Sequence, residues 1–304
     1  IIIRKQVFKM KFYVSIDIGG TSIKHGILDE NIKFITSGEI ATEAQKGGKN
    51  ILEKVINIVS EYKKEYTLSG ICISTAGMVD CEKGEIIHAS DLIPNYTGTQ
   101  IKKTLEDIFS IPCEVENDVN CAGLAEYFSG SAKGSSISLC LTIGTGIGGS
   151  IIINDRVFHG FSGSACEVGY MNMFKGKFED LGATSILVKK VAKLKNCSEN
   201  DIDGKLIFEM AKNNDEDCIK AIDEMVDILG MGIANICYVI NPEVVVLGGG
   251  IMAQKDYLYD KIRLSLDKYL IPTISSKTKL EFAKNQNKAG MLGAYYNFIS
   301  IHKD

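Results

Sequence analysis

The sequence predicts an α/β protein of two similar halves with a cleft between them. Three observations carry this. An apolar strand, a Gly-rich turn and a returning strand occur twice, at residues 11–28 and again at 137–153. After each, apolar strands alternate with segments of helical spacing. No Pro- or Ser-rich linker and no low-complexity stretch separates the halves, so they should pack closely. The smaller half is expected over 10–120 and the larger over 121–288, with a last helix at about 289–304 that packs back on the first.

The elements follow in order. Lys11 to Asp17 is an apolar strand ending in an acid, and Gly26-Ile27-Leu28 is its return. Ile32 to Ile40 is a third strand. Ile51, Leu52, Val55, Ile56 and Val59 recur at helical spacing behind Asn50, a candidate cap. Leu68 to Ser74 is a strand, Ser74 to Asp80 a small-residue loop, and Ile86 to Ala89 a short strand. A helix over about 100–109 precedes a strand at Cys113–Val115 and a helix over about 121–129. The pattern then restarts with strands at Ile137–Thr142 and Ser150–Ile153. Residues 156–182 look irregular. Helices are expected near 183–194, 204–212 and 215–240, the last stopped by Pro242. Val244 to Leu247 is wholly apolar, the mark of a strand buried on both faces. A helix, a strand and a final helix over about 289–299 complete the chain.

Composition excludes several classes. The chain has 304 residues, 45% hydrophobic and 24% charged, enough to bury two cores. A net charge of −4 and a pI near 5.7 argue against a general nucleic-acid binder. No apolar run approaches the roughly 18 residues of a membrane span, so no membrane partner is expected. Residues 1–5 run apolar before basic, the reverse of a secretory signal. Met10 reads as the natural start, with 1–9 an extension. Nine dispersed cysteines without a CxxC pair, among them Cys72, Cys140 and Cys237 in apolar segments, read as reduced thiols of a cytoplasmic protein.

Chemistry concentrates at Glu116-Asn117-Asp118-Val119-Asn120, at a strand-to-helix junction. Such junctions expose side chains at the end of a sheet, where open α/β folds bind ligands. An acid there can accept a proton and amides can orient a polar substrate. Taken alone, Asn117 or Asp118 reads first as a helix cap. The turn Gly19-Gly20-Thr21 gathers backbone N–H groups into an anion-binding nest, and Thr21 and Thr145 can add hydroxyl donors. Asp17 could hold the water shell of Mg²⁺. Neither turn is GxxxxGK[ST], and neither feeds directly into a helix, so P-loop and dinucleotide sites are not indicated. The Gly248–Gly250 run suits either a helix entry or the approach of a base and ribose. Glu167 and Glu179 sit near the irregular stretch, Glu179 ahead of a helix, and Asn95 follows Pro94 in a turn. His25, His88, His159 and His302 are isolated from cysteines and acids in the sequence, so no zinc site is read.

Together DIGGTSIK at 17–24, STAGMVD at 74–80, ENDVNCAGLAE at 116–126, TIGTGIGG at 142–149, CEVGYM at 166–171 and VVLGGGI at 245–251 resemble the ROK family. Its members include sugar kinases of the actin-like, ribonuclease-H-like ATPase fold. The resemblance spans almost all of 11–300. It implies that Asp118 is the general base and that Asn117 binds sugar, with Gly77 and Asn95 as further substrate-binding candidates. It implies Glu167 on ring hydroxyls and Glu179 as a looser second sugar-binding glutamate. Asp17, Gly19, Gly20, Thr21 and Lys24 would form one phosphate loop, and Gly144, Thr145 and Gly146 the other. Gly248 and Gly249 would lie by the adenosine. Many relatives carry ExGH and a cysteine zinc cluster. Here Tyr170 replaces the histidine and residues 171–179 hold no cysteine, so no structural zinc is expected and Mg²⁺ should arrive with ATP. Tyr170 either tunes sugar choice or packs in the core. The loop 167–179 should be held by Met171, Met173 and Phe174. The resemblance thus implies an ATP- and Mg²⁺-dependent kinase, in a homodimer, acting on a hexose or N-acetylhexosamine, with a sugar-sensing regulator as the alternative. N-acetylmannosamine, glucose and a β-glucoside all remain open.

Overall fold

The structure, a computed structural model, describes residues 10–303. The expected extension over 1–9 lies outside the described residues. The chain forms two units, one running through Cys121 and resuming at Lys288, the other Ala122–Asn287.

In the first unit, β1 (Phe12–Ile18) is buried on both faces from Tyr13 to Ile16, as a central strand must be. It pairs antiparallel with β2 (Ser22–Asp29), which pairs antiparallel with β3 (Phe34–Ala41). β3 has no residue fully buried, which suits the sheet edge. Helix α1 (Gly47–Glu65) lays Ile51, Val55, Ile58 and Val59 on the core. β4 (Leu68–Thr75) joins β1 in parallel on its other side. A hairpin of β5 (Met78–Asp80) and β6 (Glu85–His88), then α2 (Ile101–Phe109), lead to β7 (Cys113–Asn117), parallel to β4. The order is β3-β2-β1-β4-β7. Helix α3 (Asp118–Ser129) starts with no intervening residue and carries the chain into the second unit.

The second sheet repeats this plan. β8 (Ile137–Ile143), β9 (Ile147–Ile153) and β10 (Arg156–Val157) are antiparallel neighbours. A hairpin of β11 (Asn172–Met173) and β12 (Gly176–Lys177) precedes α4 (Phe178–Gly182), α5 (Thr184–Lys195), α6 (Gly204–Lys212) and the long α7 (Glu216–Ile240). β13 (Val244–Gly248), buried throughout, lies parallel to β8. α8 (Lys255–Tyr269) and α9 (Pro272–Ser275) lead to β14 (Lys279–Phe282), parallel to β13. The order, β10-β9-β8-β13-β14, is that of the first sheet. Ile222, Val226, Leu229 and Ile233 of α7 close the core on Leu139, Leu141, Val245 and Leu247. The chain returns to the first unit as α10 (Ala289–Ile301), where Tyr295 and Phe298 meet the Tyr13 ring edge-on at 5.2 and 5.6 Å.

Five sequence expectations are corrected. Asn50 does not cap α1, which begins at Gly47, because Gly48 N donates to Pro94 O and starts the helix earlier. α3 begins at Asp118 rather than near 121, and β9 at Ile147 rather than Ser150. The 74–80 segment is not wholly loop, since Met78–Asp80 forms a strand. Phe174 does not pin its loop: it lies between β11 and β12 and is 97% exposed, while Met171 and Met173 do pack on the core and Phe178 is wholly buried.

Candidate active site

In the first unit three parallel strands end side by side. Their register sets Asp17 beside Ser74 and Thr75 beside Asn117. This row at the carboxyl ends of β1, β4 and β7 is where parallel sheets present ligand-binding groups. Ser74 Oγ donates to Asp17 Oδ1 at 2.7 Å. Burial pushes the Asp17 carboxyl above its ordinary value, with the Ser74 bond and the charge of Lys24 opposing. Lys24 stands opposite Asp17 in the β1–β2 register. Gly290, in the first turn of α10, has no room for a side chain: a Cβ there would lie 2.3 Å from the Asp17 carboxyl carbon.

Asn117 answers the capping question. Its Oδ1 accepts from Val119 N at 2.9 Å and Asn120 N at 3.1 Å, so Asn117 is the cap of α3. Its Nδ2 donates to Gly77 O at 2.9 Å and to Asp118 Oδ1 at 3.0 Å. Asp118 therefore sits in the first helical turn, partly exposed and oriented by its neighbour. Beneath it, buried Glu116 accepts from Asn117 N and Asn120 Nδ2 at 2.8 and 2.9 Å. Gly77 takes φ +97 and leaves only 2.8 Å between a hypothetical Cβ and His88 O, so a larger residue would displace this loop. Asn95 takes φ +53 ahead of buried Tyr96. Burial raises the Tyr96 phenol and the charge of Asp118 adds to it, while its bond to Thr75 Oγ1 at 2.6 Å opposes.

The first Gly-rich turn closes on itself through Gly19 N donating to Ser22 O at 3.0 Å. Thr42, wholly buried just past β3, donates from Oγ1 to Gly19 O at 2.6 Å and from its N–H to Thr21 O at 2.9 Å.

The second unit assembles the other candidates. Gly144 N donates to Gly146 O at 2.9 Å, closing the second turn. Ser185 Oγ donates to Thr145 O at 2.6 Å and Thr184 Oγ1 to Ile143 O at 3.3 Å. Gly248 pairs with Thr142 in register, and Gly249 at φ +109 presses on Ile143 O, which a Cβ would approach to 2.0 Å. Glu179 lies in the first turn of α4, ahead of α5, with its carboxylate against Gly146 and Gly169. Glu167 is exposed, next to Cys166 at φ +65. Tyr170 is 48% exposed with Lys177 Nζ 4.9 Å from its ring centre, which rules out the core-packing alternative.

Each unit carries its own candidates: Asp17, Gly19, Gly20, Thr21, Lys24, Gly77, Asn95, Asn117 and Asp118 lie in the first, and Gly144, Thr145, Gly146, Glu167, Tyr170, Glu179, Gly248 and Gly249 in the second. The histidines are less isolated than the sequence suggests: His302 Nε2 meets Glu114 Oε1 at 2.9 Å and His25 Nδ1 meets Tyr62 OH at 2.8 Å. Sequence reading missed Thr42, Ser74, Ser185 and Gly290. Only the strand-end position of Thr42, where β3 runs back along β2, offered a signal.

Five strands in one order, twice, each with a Gly-rich turn after its first strand, define an α/β protein of the actin-like ATPase fold. The chain belongs to the ROK family, whose model matches residues 13–300. It is 50% identical over 289 residues to an uncharacterized protein of Clostridium perfringens, covering 95% of this chain and 98% of that one. It is similar to a Listeria monocytogenes protein proposed to be an N-acetylmannosamine kinase, at TM-score 0.86 and 28% identity over 96% of this chain and 100% of that one. A ROK family glucokinase from Streptomyces griseus, solved with glucose and AMPPNP, superposes at TM-score 0.78 with 26% identity over 94% and 98%.

Proposed function

We propose that the protein is an ATP-dependent sugar kinase that phosphorylates the 6-hydroxyl of a hexose or N-acetylhexosamine, with N-acetylmannosamine and glucose the first candidates. One observation carries the reading. Asp118 is partly exposed and held by Asn117 at the same sheet end as Asp17 and in the same unit as the first Gly-rich turn. The glucokinase relative with glucose and AMPPNP supports the choice of ligands.

Asp118 takes the proton of the sugar hydroxyl as that oxygen attacks the γ-phosphorus. The bond from phosphorus to the β–γ bridging oxygen breaks, and ADP leaves. Asn117, both cap and ligand candidate, orients the hydroxyl, and the two Gly-rich turns receive phosphate oxygens. The half-buried carboxylate of Asp17 fits the hydrated Mg²⁺ of a nucleotide, an oxygen donor for a hard cation. Mg²⁺, when bound, neutralises phosphate charge. Glu167 and Tyr170 are exposed enough to meet a sugar, and we assign them to substrate binding with Glu179.

An ADP-release assay over a panel of hexoses, N-acetylhexosamines and β-glucosides tests the reading. At least one sugar should drive release, and Asp118→Asn should lower kcat about 10²–10⁴-fold with sugar affinity nearly kept. No turnover on any sugar overturns the kinase assignment. Near-normal kcat in the variant overturns the role of Asp118.

A further inference from the structure

The two Gly-rich turns share a feature that their glycines do not explain. Each is held on its carbonyl side by a hydroxyl residue from a different element. Thr42 supplies two bonds to the first turn, to Gly19 O and Thr21 O. Ser185, at the start of α5, bonds Thr145 O in the second.

The peptide plane gives these bonds a consequence. In a trans peptide the C=O of one residue and the N–H of the next point in opposite directions. With Gly19 O fixed on Thr42, the Gly20 N–H points away from Thr42; with Thr21 O fixed there, so does that of Ser22. Gly20 is exposed, and no atom lies within 4 Å of a hypothetical Cβ there. In the second turn the same reasoning aims the Gly146 N–H away from Ser185. Glycine-rich turns are otherwise free to flip their peptides, which would present carbonyl oxygens to an anion. Thr42 is itself anchored: Lys54 Nζ donates to Ala41 O, Thr42 O and Glu43 Oε2 at 2.7, 3.1 and 2.7 Å.

We propose that Thr42 and Ser185 are positioning residues, each locking the Gly-rich turn of its own unit with the N–H groups of that turn presented to phosphate oxygens. They act through backbone carbonyls and touch no substrate. The proposal rests on the kinase reading.

Thr42→Val keeps the volume and removes the hydroxyl; Thr42→Ser keeps the donor. Ser185→Ala and Ser185→Thr form a second pair on another element. The readout is AMPPNP–Mg²⁺ affinity by calorimetry, with Tm and steady-state kinetics alongside. Leaving a partly buried carbonyl unpaired amounts to about a tenfold change. Thr42→Val should weaken AMPPNP about tenfold and raise the ATP KM in parallel, with the sugar KM shifted less than about twofold. Thr42→Ser should restore most of the affinity, and Ser185→Ala should weaken binding less, because that bond is solvent-exposed. Unchanged AMPPNP affinity in both Thr42→Val and Ser185→Ala overturns the proposal. So does Thr42→Ser no better than Thr42→Val, or equal loss of nucleotide and sugar binding. Wild-type protein that binds AMPPNP but phosphorylates no sugar refutes the kinase reading alone, and the affinity comparison still decides this one. Wild-type protein that binds no AMPPNP refutes both.

Discussion

At the scale of single residues, Asp17 shows what burying an acid does to stability. Burial raises its carboxyl above the ordinary 3.8, and Ser74 and Lys24 only partly oppose that. The folded protein therefore binds this proton more tightly than the unfolded chain does. The group costs nothing below its unfolded pKa. Stability is lost as pH rises from there through the folded pKa, and the loss is complete above it. Asp17→Asn keeps the acceptor for Ser74 and removes the charge. It should therefore gain Tm relative to the wild type at pH 7 and gain less at pH 4, and on the proposed role of Asp17 toward hydrated Mg²⁺ its turnover should fall. Thermal melts of both proteins at the two pH values check this; a variant that gains nothing at pH 7 would show that the carboxylate is stabilised by its surroundings. The acid was legible in the sequence as the end of an apolar strand. Its partners were not, because Ser74 and Gly290 lie 57 and 273 residues away and only the parallel register and the return of α10 bring them in.

At the scale of elements, α3 and the 171–178 hairpin show where pattern reading fails. Asp118, Val119 and Asn120 are weak helix formers, so the sequence suggests a start near 121. The helix nonetheless starts at Asp118, because Asn117 satisfies two of its first N–H groups and Glu116 holds Asn117. Local propensity is outweighed by a cap that doubles as ligand candidate. The hairpin fails in the other direction. Phe174 is apolar and lies among methionines, which reads as packing, yet a two-residue turn between β11 and β12 turns it outward. The anchor is Phe178, fully buried, with its ring only 2.4 Å from where a Gly232 Cβ would stand on α7. Phe178→Ala should cost about 3–5 kcal/mol through the cavity it leaves. Phe174→Ser should change stability by no more than about 0.5 kcal/mol. Chemical denaturation of the two variants gives both numbers, and equal losses would mean that the hairpin tip is packed after all.

At the scale of the whole molecule, the duplicated architecture was visible as two Gly-rich turns, because a sharp turn between paired strands demands small residues wherever it recurs. The identical strand orders were not visible, since a register of parallel strands leaves no mark on local spacing. The return of the chain at Asn287/Lys288, which sends α10 back to the first sheet, is the course the sequence suggests for its last helix over about 289–304. With candidate groups in both units, ligands that bind the folded chain should stabilise it by mass action. At a ligand concentration of about 100 Kd this amounts to about 2.7 kcal/mol, or an apparent Tm rise of about 4 °C for a chain of this size. A thermal-shift screen of sugars with AMPPNP and Mg²⁺ should therefore pick out the same sugar that drives ADP release. Asp118→Asn should keep that shift while losing turnover, because the amide preserves shape and removes only the proton acceptor. A sugar that shifts Tm in wild-type protein without any ADP release would instead identify a sensor, and a variant that loses the shift would move Asp118 from catalysis to binding.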